Sequence, residues 1–227
     1  MKTNIEHINY RIRAAAESCG RLRDDIYLVA VSKTIPAERV RAAVTAGVTT
    51  LGENYIQEAR EKIEALEDLS VSWHFIGHLQ RNKAKYAVRL YDLIHSVDSI
   101  RLAREIDKQA GKIAKNQTIL IQVNTGQEAT KSGIYEEDAM TLVREAAALE
   151  NVTVRGLMTL PPYFYAPEKV RPYFRALRKL RERIRAAAIP GIEMTELSMG
   201  MTGDFETAIE EGATMVRIGT AIFGERA

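Results

Sequence analysis

Lys33 stands just past an apolar run, Ile26-Tyr-Leu-Val-Ala-Val31, from which only Ser32 separates it. A charged ammonium at the end of such a segment is costly unless it is paired or has lost its proton. A lysine with a lowered pKa attacks aldehydes and forms imines. The competing assignment is a lysine that pairs with a carboxylate or contacts a phosphate. Far along the chain, Ser198-Met-Gly-Met-Thr-Gly203 precedes one helical segment, and Gly219 and Thr220 open another. Small residues such as Ser198, Gly200 and Gly219 let backbone N–H groups approach an anion, and a helix start adds a positive dipole end. Glycines also serve as plain turn residues, but two such openings side by side favour a phosphate cradle. An amine facing that cradle suits a ligand with both a phosphate and an aldehyde, and pyridoxal 5′-phosphate (PLP) has both.

The histidines carry less. His74 and His78 are four apart, but Gly77 and a strand lie between them, so a shared metal is rejected. No HExxH, Cys-x-x-Cys or Walker A pattern occurs, and no metal is expected. His74 reads as a hydrogen-bonded pocket or core residue, His95 and His7 as structural. Trp73 faces away from His74 and is expected under a helix. Cys19 is the sole cysteine; it excludes an intrachain disulfide, fits a reducing compartment, and reads as a small core residue.

These groups need elements to position them. Apolar segments near 26–31, 48–51, 71–76, 93–97, 118–123, 152–158, 193–197 and 214–218 read as strands, each followed by a helical pattern. Another helix precedes them, with Ile5, Ile8, Ile12, Ala15 and Ala16 along one stripe and Gly20 as its stop. Parallel strands need crossover helices, and eight such units close naturally into a barrel. The expected fold is therefore α/β, a single parallel (β/α)8 TIM barrel with an extra N-terminal helix; an open doubly wound sheet is the alternative. No linker rich in Gly, Ser or Pro divides residues 1–227, which are expected to form one domain. Active groups of such barrels gather where strands end. Pro161-Pro-Tyr-Phe-Tyr-Ala-Pro167 interrupts the alternation as either a lid or a rigid surface loop.

Composition narrows the class. The chain has 227 residues, 46% hydrophobic and 27% charged, with net charge +2. That is ordinary for a soluble protein. The charge gives no reason to expect a nucleic-acid partner. The basic stretch Arg175 to Arg185 is interleaved with Leu177, Leu180 and Ile184 and reads as a solvated helix face. No segment approaches a membrane span and the N-terminus lacks a signal core, so a cytoplasmic protein without a membrane partner is expected. A monomer is expected.

The residues also resemble a known family. Ala30-Val-Ser-Lys33, Gly52-Glu-Asn-Tyr55, Trp73-His-Phe-Ile-Gly77, His95-Ser-Val-Asp98, Lys131-Ser-Gly-Ile134, Gly156-Leu-Met158, Ser198-Met-Gly-Met201 and Met215-Val-Arg-Ile-Gly-Thr-Ala-Ile-Phe-Gly224 are similar to the pyridoxal phosphate homeostasis proteins. The resemblance spans nearly the whole chain. It implies a fold-type III PLP barrel like the N-terminal domain of alanine racemase. It implies that Lys33 forms the internal aldimine, that Arg217 faces the pyridine nitrogen, that Ser198, Gly219 and Thr220 hold the phosphate, and that Asn54 lies near the ring. Gly203 and Thr202 differ from what relatives often carry, but both keep backbone donors. The implied role is control of free PLP, a form of vitamin B6, and its supply to apo PLP-dependent enzymes.

Binding rather than catalysis is the expectation, with no catalytic residue assigned. Arg217 has no acceptor and does not lose its proton, so it would donate to an unprotonated ring nitrogen, giving a weaker electron sink. The racemase-like stretch stops with the barrel, so the tyrosine base of a racemase's second domain is not expected here. A PLP-dependent amino-acid racemase is the alternative, with Tyr163 or Tyr165 as a substitute base; a sugar-phosphate aldolase is a third reading.

Overall fold

The computed structural model describes residues 1–128 and 130–225. Eight strands pair in parallel, in chain order, and close on themselves. They are β1 (Tyr27–Val31), β2 (Thr50–Glu53), β3 (Ser72–Phe75), β4 (Leu93–Val97), β5 (Gln117–Gln122), β6 (Val152–Met158), β7 (Glu196–Ser198) and β8 (Met215–Ile218). Helix α1 (Lys2–Ser18) precedes β1. Helices α2 (Ala37–Thr45), α3 (Ile56–Ala65), α4 (Ala84–Leu90), α5 (Ile100–Gly111), α6 (Glu136–Ala147), α7 (Arg171–Ala186), α8 (Phe205–Glu210) and α9 (Thr220–Phe223) follow successive strands. The expected (β/α)8 barrel with an added first helix is what forms.

Strand alternation separates two cores. Val29, Leu93, Leu120, Met158 and Met215 point to the axis and pack as an inner cluster. Their outward neighbours, among them Ala30, Ile94, Ile119, Leu157 and Val216, pack under the helices. Each aliphatic side chain so buried contributes about 1.5–3 kcal/mol. Trp73 belongs to the outer core, as expected. Helix α1 buries Ile5, Ile8, Ile12, Ala15 and Ala16 and packs on α8 and α9.

Three local expectations are corrected. Cys19 is exposed: the helix ends at Ser18, and the turn of backbone at Cys19 carries it off the buried stripe. β2 begins two residues later than expected, at Thr50, which moves Gly52 and Glu53 into the strand and leaves Asn54 as the first residue past it. β7 begins at Glu196 instead of Glu193. Met194 adopts a positive φ of 50° and turns the chain just before β7. The β6 register skips Arg155 and pairs Gly156 with Glu196, where a Cβ would collide with the Glu196 carbonyl.

Candidate functional site

Lys33 lies two residues beyond β1, on the rim formed by the strand C-termini. Inward Val29 and then Val31 continue the alternation towards Lys33 on the axis side. β1 pairs with β8 so that Val29 faces Arg217 and Ala30 faces Ile218. Carried two steps further, this register sets Gly219 and Thr220 beside the segment that bears Lys33. Gly219 sits so close to Val31 that a Cβ there would lie 3.2 Å from the Val31 carbonyl oxygen. Gly200, with φ +93°, has no room for a Cβ against Ala208 and accepts the Arg217 backbone N–H at 3.0 Å. Gly219 and Thr220 thus lie beside the segment that bears Lys33, and Ser198, Gly200 and Arg217 belong to the neighbouring β7–β8 pair. Asn54 closes β2 on the same rim, and its buried Oδ1 has no hydrogen-bond partner. Asn54 also lines a cavity of about 470 Å³ between the ends of β2 and β3, with Gly77, His78 and Leu79, which Lys33 and Arg217 do not line.

The side chains differ in how they are held. Lys33 and Asn54 are half-buried and Thr220 is exposed. Arg217 is buried and donates Nη1–H to Ser198 Oγ at 2.6 Å and Nη2–H to the Thr159 carbonyl at 2.8 Å. Burial pulls its pKa down to about 10, with Asp204 opposing, so it remains a cation at neutral pH. The Ser198 hydroxyl is engaged inside the barrel with Arg217 and with His95 Nδ1 at 2.8 Å. What Ser198 offers a ligand is therefore its grip on Arg217, since its carbonyl already accepts the Thr159 N–H.

The sequence pointed to Lys33 as the lysine with the costly environment. The structure puts a more buried one directly behind it. Lys62, on α3, has a side chain 5% exposed and donates to the Ser32 carbonyl and to Glu53 Oε1, each at 2.6 Å, and to Glu58 Oε1 at 2.9 Å. Ser32 Oγ–H also donates to Glu53 Oε1 at 2.7 Å, and the Thr34 N–H donates to Glu58 at 2.5 Å. The residues on both sides of Lys33 are thereby tied to one ionic cluster. Thr34 is held at φ +63°, an uncommon conformation for a residue with a Cβ. Burial holds the Glu53 carboxyl above its usual range, while the Lys62 ammonium and the Ser32 hydroxyl pull it down. Sequence reasoning missed Lys62, though a signal existed: it falls three residues after Ala59 and four before Leu66, on the buried stripe of α3.

His74, expected as a hydrogen-bonded pocket or core residue, and His95, expected as structural, are both buried. They form part of one chain: His95 Nε2 lies 3.0 Å from His74 Nδ1. Burial lowers His74 to about 4, against a raising influence from Asp92. Burial, with His74 and Arg217 adding to it, lowers His95 well below its ordinary value. Tyr163 and Tyr165 stack edge to face at 5.4 Å and are 73% and 96% exposed.

The fold and rim define a barrel of the alanine racemase N-terminal class, and the model of the family "Alanine racemase, N-terminal domain" matches residues 3–227. The chain belongs to the pyridoxal phosphate homeostasis protein family. It is 50% identical over 222 residues to the pyridoxal phosphate homeostasis protein of Aquifex aeolicus, covering 98% of this chain and 96% of the relative. It is 40% identical over 231 residues to that of Escherichia coli K12, covering 98% and 95%. Among solved structures, PipY of Synechococcus elongatus with PLP bound superposes with a TM-score of 0.83 at 36% identity, covering 94% of this chain and all of PipY. A Clostridium difficile alanine racemase shares the fold at TM-score 0.74 and 15% identity, and the match covers 56% of that racemase.

Proposed function

We propose that this protein binds PLP at the C-terminal rim and serves intracellular PLP homeostasis, holding the cofactor covalently on Lys33 and releasing it to apo-enzymes. The observation that carries the reading is the β1–β8 register, which puts Gly219 and Thr220 beside the segment that bears Lys33. The residues present fit the group. An aldehyde needs an amine, which Lys33 offers. A phosphate needs donors, which the backbone N–H groups of Gly200, Gly219 and Thr220 would supply. A ring needs an edge partner, and Asn54 has a buried oxygen awaiting a donor. When bound, PLP supplies a carbonyl carbon for covalent attachment and a pyridine ring that can withdraw electrons. In this reading Lys33 anchors, the backbone N–H groups of Gly200, Gly219 and Thr220 hold the phosphate, and Arg217 donates to the ring nitrogen. Arg217 stays protonated and has no acceptor, so it does not deliver the ring-nitrogen proton that strong electron withdrawal requires.

The names borne by the relatives and the PLP bound in PipY support this reading over an amino-acid racemase. Tyr163 and Tyr165 are largely exposed, and neither is held in place by burial as a second base would need to be.

The test is an absorbance titration of purified protein with PLP, for wild type and Lys33→Ala. A new visible band that requires Lys33, and transfer of PLP to an apo-enzyme, are expected. Loss of Cα protons from an amino acid in deuterated solvent would favour the racemase. A band that persists in Lys33→Ala would refute the anchor.

A further inference from the structure

The axis of the barrel is crossed by an unbroken polar line. It starts at Arg217, runs through Ser198 Oγ at 2.6 Å and His95 at 2.8 Å, and reaches His74 at 3.0 Å. Ser198 and His95 are wholly enclosed, and Arg217 and His74 are nearly so. His74 ends the line at a second cavity of about 250 Å³ at the opposite mouth. Tyr27, Thr50, Ser72 and Glu196 line that cavity, each the first residue of its strand.

We propose that this line is a hydrogen-bond chain of fixed polarity, Arg217 to Ser198 to His95 to His74, which makes Ser198 and His95 positioning residues for the Arg217 guanidinium. The proposal rests on the reading above that Arg217 serves the ring of PLP. The polarity follows from chemistry. A guanidinium only donates, so Ser198 Oγ must accept from Arg217. The Ser198 proton then needs an acceptor, and His95 Nδ1 is the only one within reach among the described residues. With Nδ1 accepting, a neutral His95 carries its proton on Nε2 and donates it to His74 Nδ1. His74 in turn carries its proton on Nε2, at the lower cavity. Low pKa values for both rings agree with neutral imidazoles.

Every contact within the line then runs in one direction only, and a buried network with a fixed direction is rigid. The Thr159 carbonyl fixes Nη2 while this chain fixes Nη1. The guanidinium plane is set before any ligand arrives.

The decisive measurement needs no cofactor. Two-bond proton–nitrogen correlation spectra of the apo protein at neutral pH should show His95 and His74 each protonated on Nε2 alone. A proton on His95 Nδ1, or an imidazolium, would overturn the proposal. In Ser198→Ala the donor to Nδ1 is gone, and His95 should lose its single tautomer; an unchanged His95 spectrum would equally overturn it. A second arm uses PLP. His95→Gln retains an acceptor for Ser198 and a donor for His74, whereas His95→Leu retains neither. We expect His95→Leu to weaken PLP binding about ten-fold and to shift the bound absorption band, with His95→Gln staying within about three-fold of wild type. Equal affinities and bands for the two variants refute the positioning role. Should wild type itself bind no PLP, the cofactor reading fails, while the histidine spectra still decide the polarity.

Discussion

Lys62 Nζ lies 2.6 Å from the carbonyl oxygen of Ser32, the residue before Lys33. A charged amine with its side chain 5% exposed is thus spent on fixing the backbone that carries another amine. The ion pair with Glu53 would be a poor source of net stability, because desolvation cancels most of the attraction. Its value lies in register: it joins β2 and α3 to the end of β1.

Removing one partner of such a pair leaves the other buried and uncompensated. Lys62→Met should destabilise the fold by about 3–5 kcal/mol. The double substitution Lys62→Met with Glu53→Leu should recover much of that loss. Urea denaturation of the wild type, both single variants and the double variant gives the coupling directly. If the clamp also sets Lys33, the double variant will be stable yet incorporate PLP more slowly than wild type under borohydride trapping.

A pH dependence follows from the two buried histidines. In the unfolded chain a histidine titrates near about 6.5. His74 in the fold titrates at about 4. Between those values the unfolded chain binds the more protons, so stability rises with pH across the window. The contribution of His74 is complete above the unfolded value and is lost as pH falls towards the folded one. It should amount to about 2 kcal/mol between pH 7 and pH 5, with His95 acting in the same direction. Asp92, Arg155, Glu196 and Tyr27 line the cavity that His74 faces, so their own titration belongs to the background. Urea unfolding at the two pH values, for wild type and His74→Gln, isolates the histidine share. Equal pH slopes would count against it.

The architecture was legible because its signal is redundant: eight apolar runs and eight helical patterns each repeat the same information. Lys33 and the glycine openings were legible for the same reason, since a barrel concentrates its chemistry where strands end. Other features were not. Whether His95 meets Ser198 depends on how β4 and β7 close across the axis, residues 103 positions apart. Periodicity along the chain says nothing of contacts across a barrel. The start of β7 was missed because the positive φ at Met194, which turns the chain just before it, has no local pattern in the sequence. Lys62 was missed although it falls on the same stripe of α3 as the buried Ala59 and Leu66.

The basic stretch of α7 has a partner within the protein. Glu211, its side chain 5% exposed, receives Arg175 at 2.9 Å, Arg178 at 3.3 Å and Arg171 at 3.4 Å. Burial alone would raise the Glu211 pKa, but the hydrogen bond from Arg175 and the nearby charges of Arg178 and Arg175 outweigh it and lower the value. Glu211→Gln should cost about 1–3 kcal/mol. Glu6→Gln, which breaks the exposed pair with Lys2, should cost less than about 0.5 kcal/mol. Thermal melts of the two variants at neutral pH make the comparison.

Gly77 tests the rim from the other side. A Cβ there would run into the backbone of Asn54, meeting its carbonyl oxygen first. Backbone cannot swing aside as a flexible side chain does, so Gly77→Ala must displace the end of β2. The expected cost is about 1–3 kcal/mol in stability. PLP affinity should fall as well, because Asn54 moves with its unpartnered Oδ1. Gly203 supplies the contrast, since a Cβ at that position meets nothing within 4 Å and its φ is not in the left-handed range. Gly203→Ala should leave both stability and PLP affinity near wild type. Absorbance titrations of the two variants decide the matter: if Gly77→Ala folds and binds PLP as tightly as Gly203→Ala, Asn54 has no part in holding the ligand.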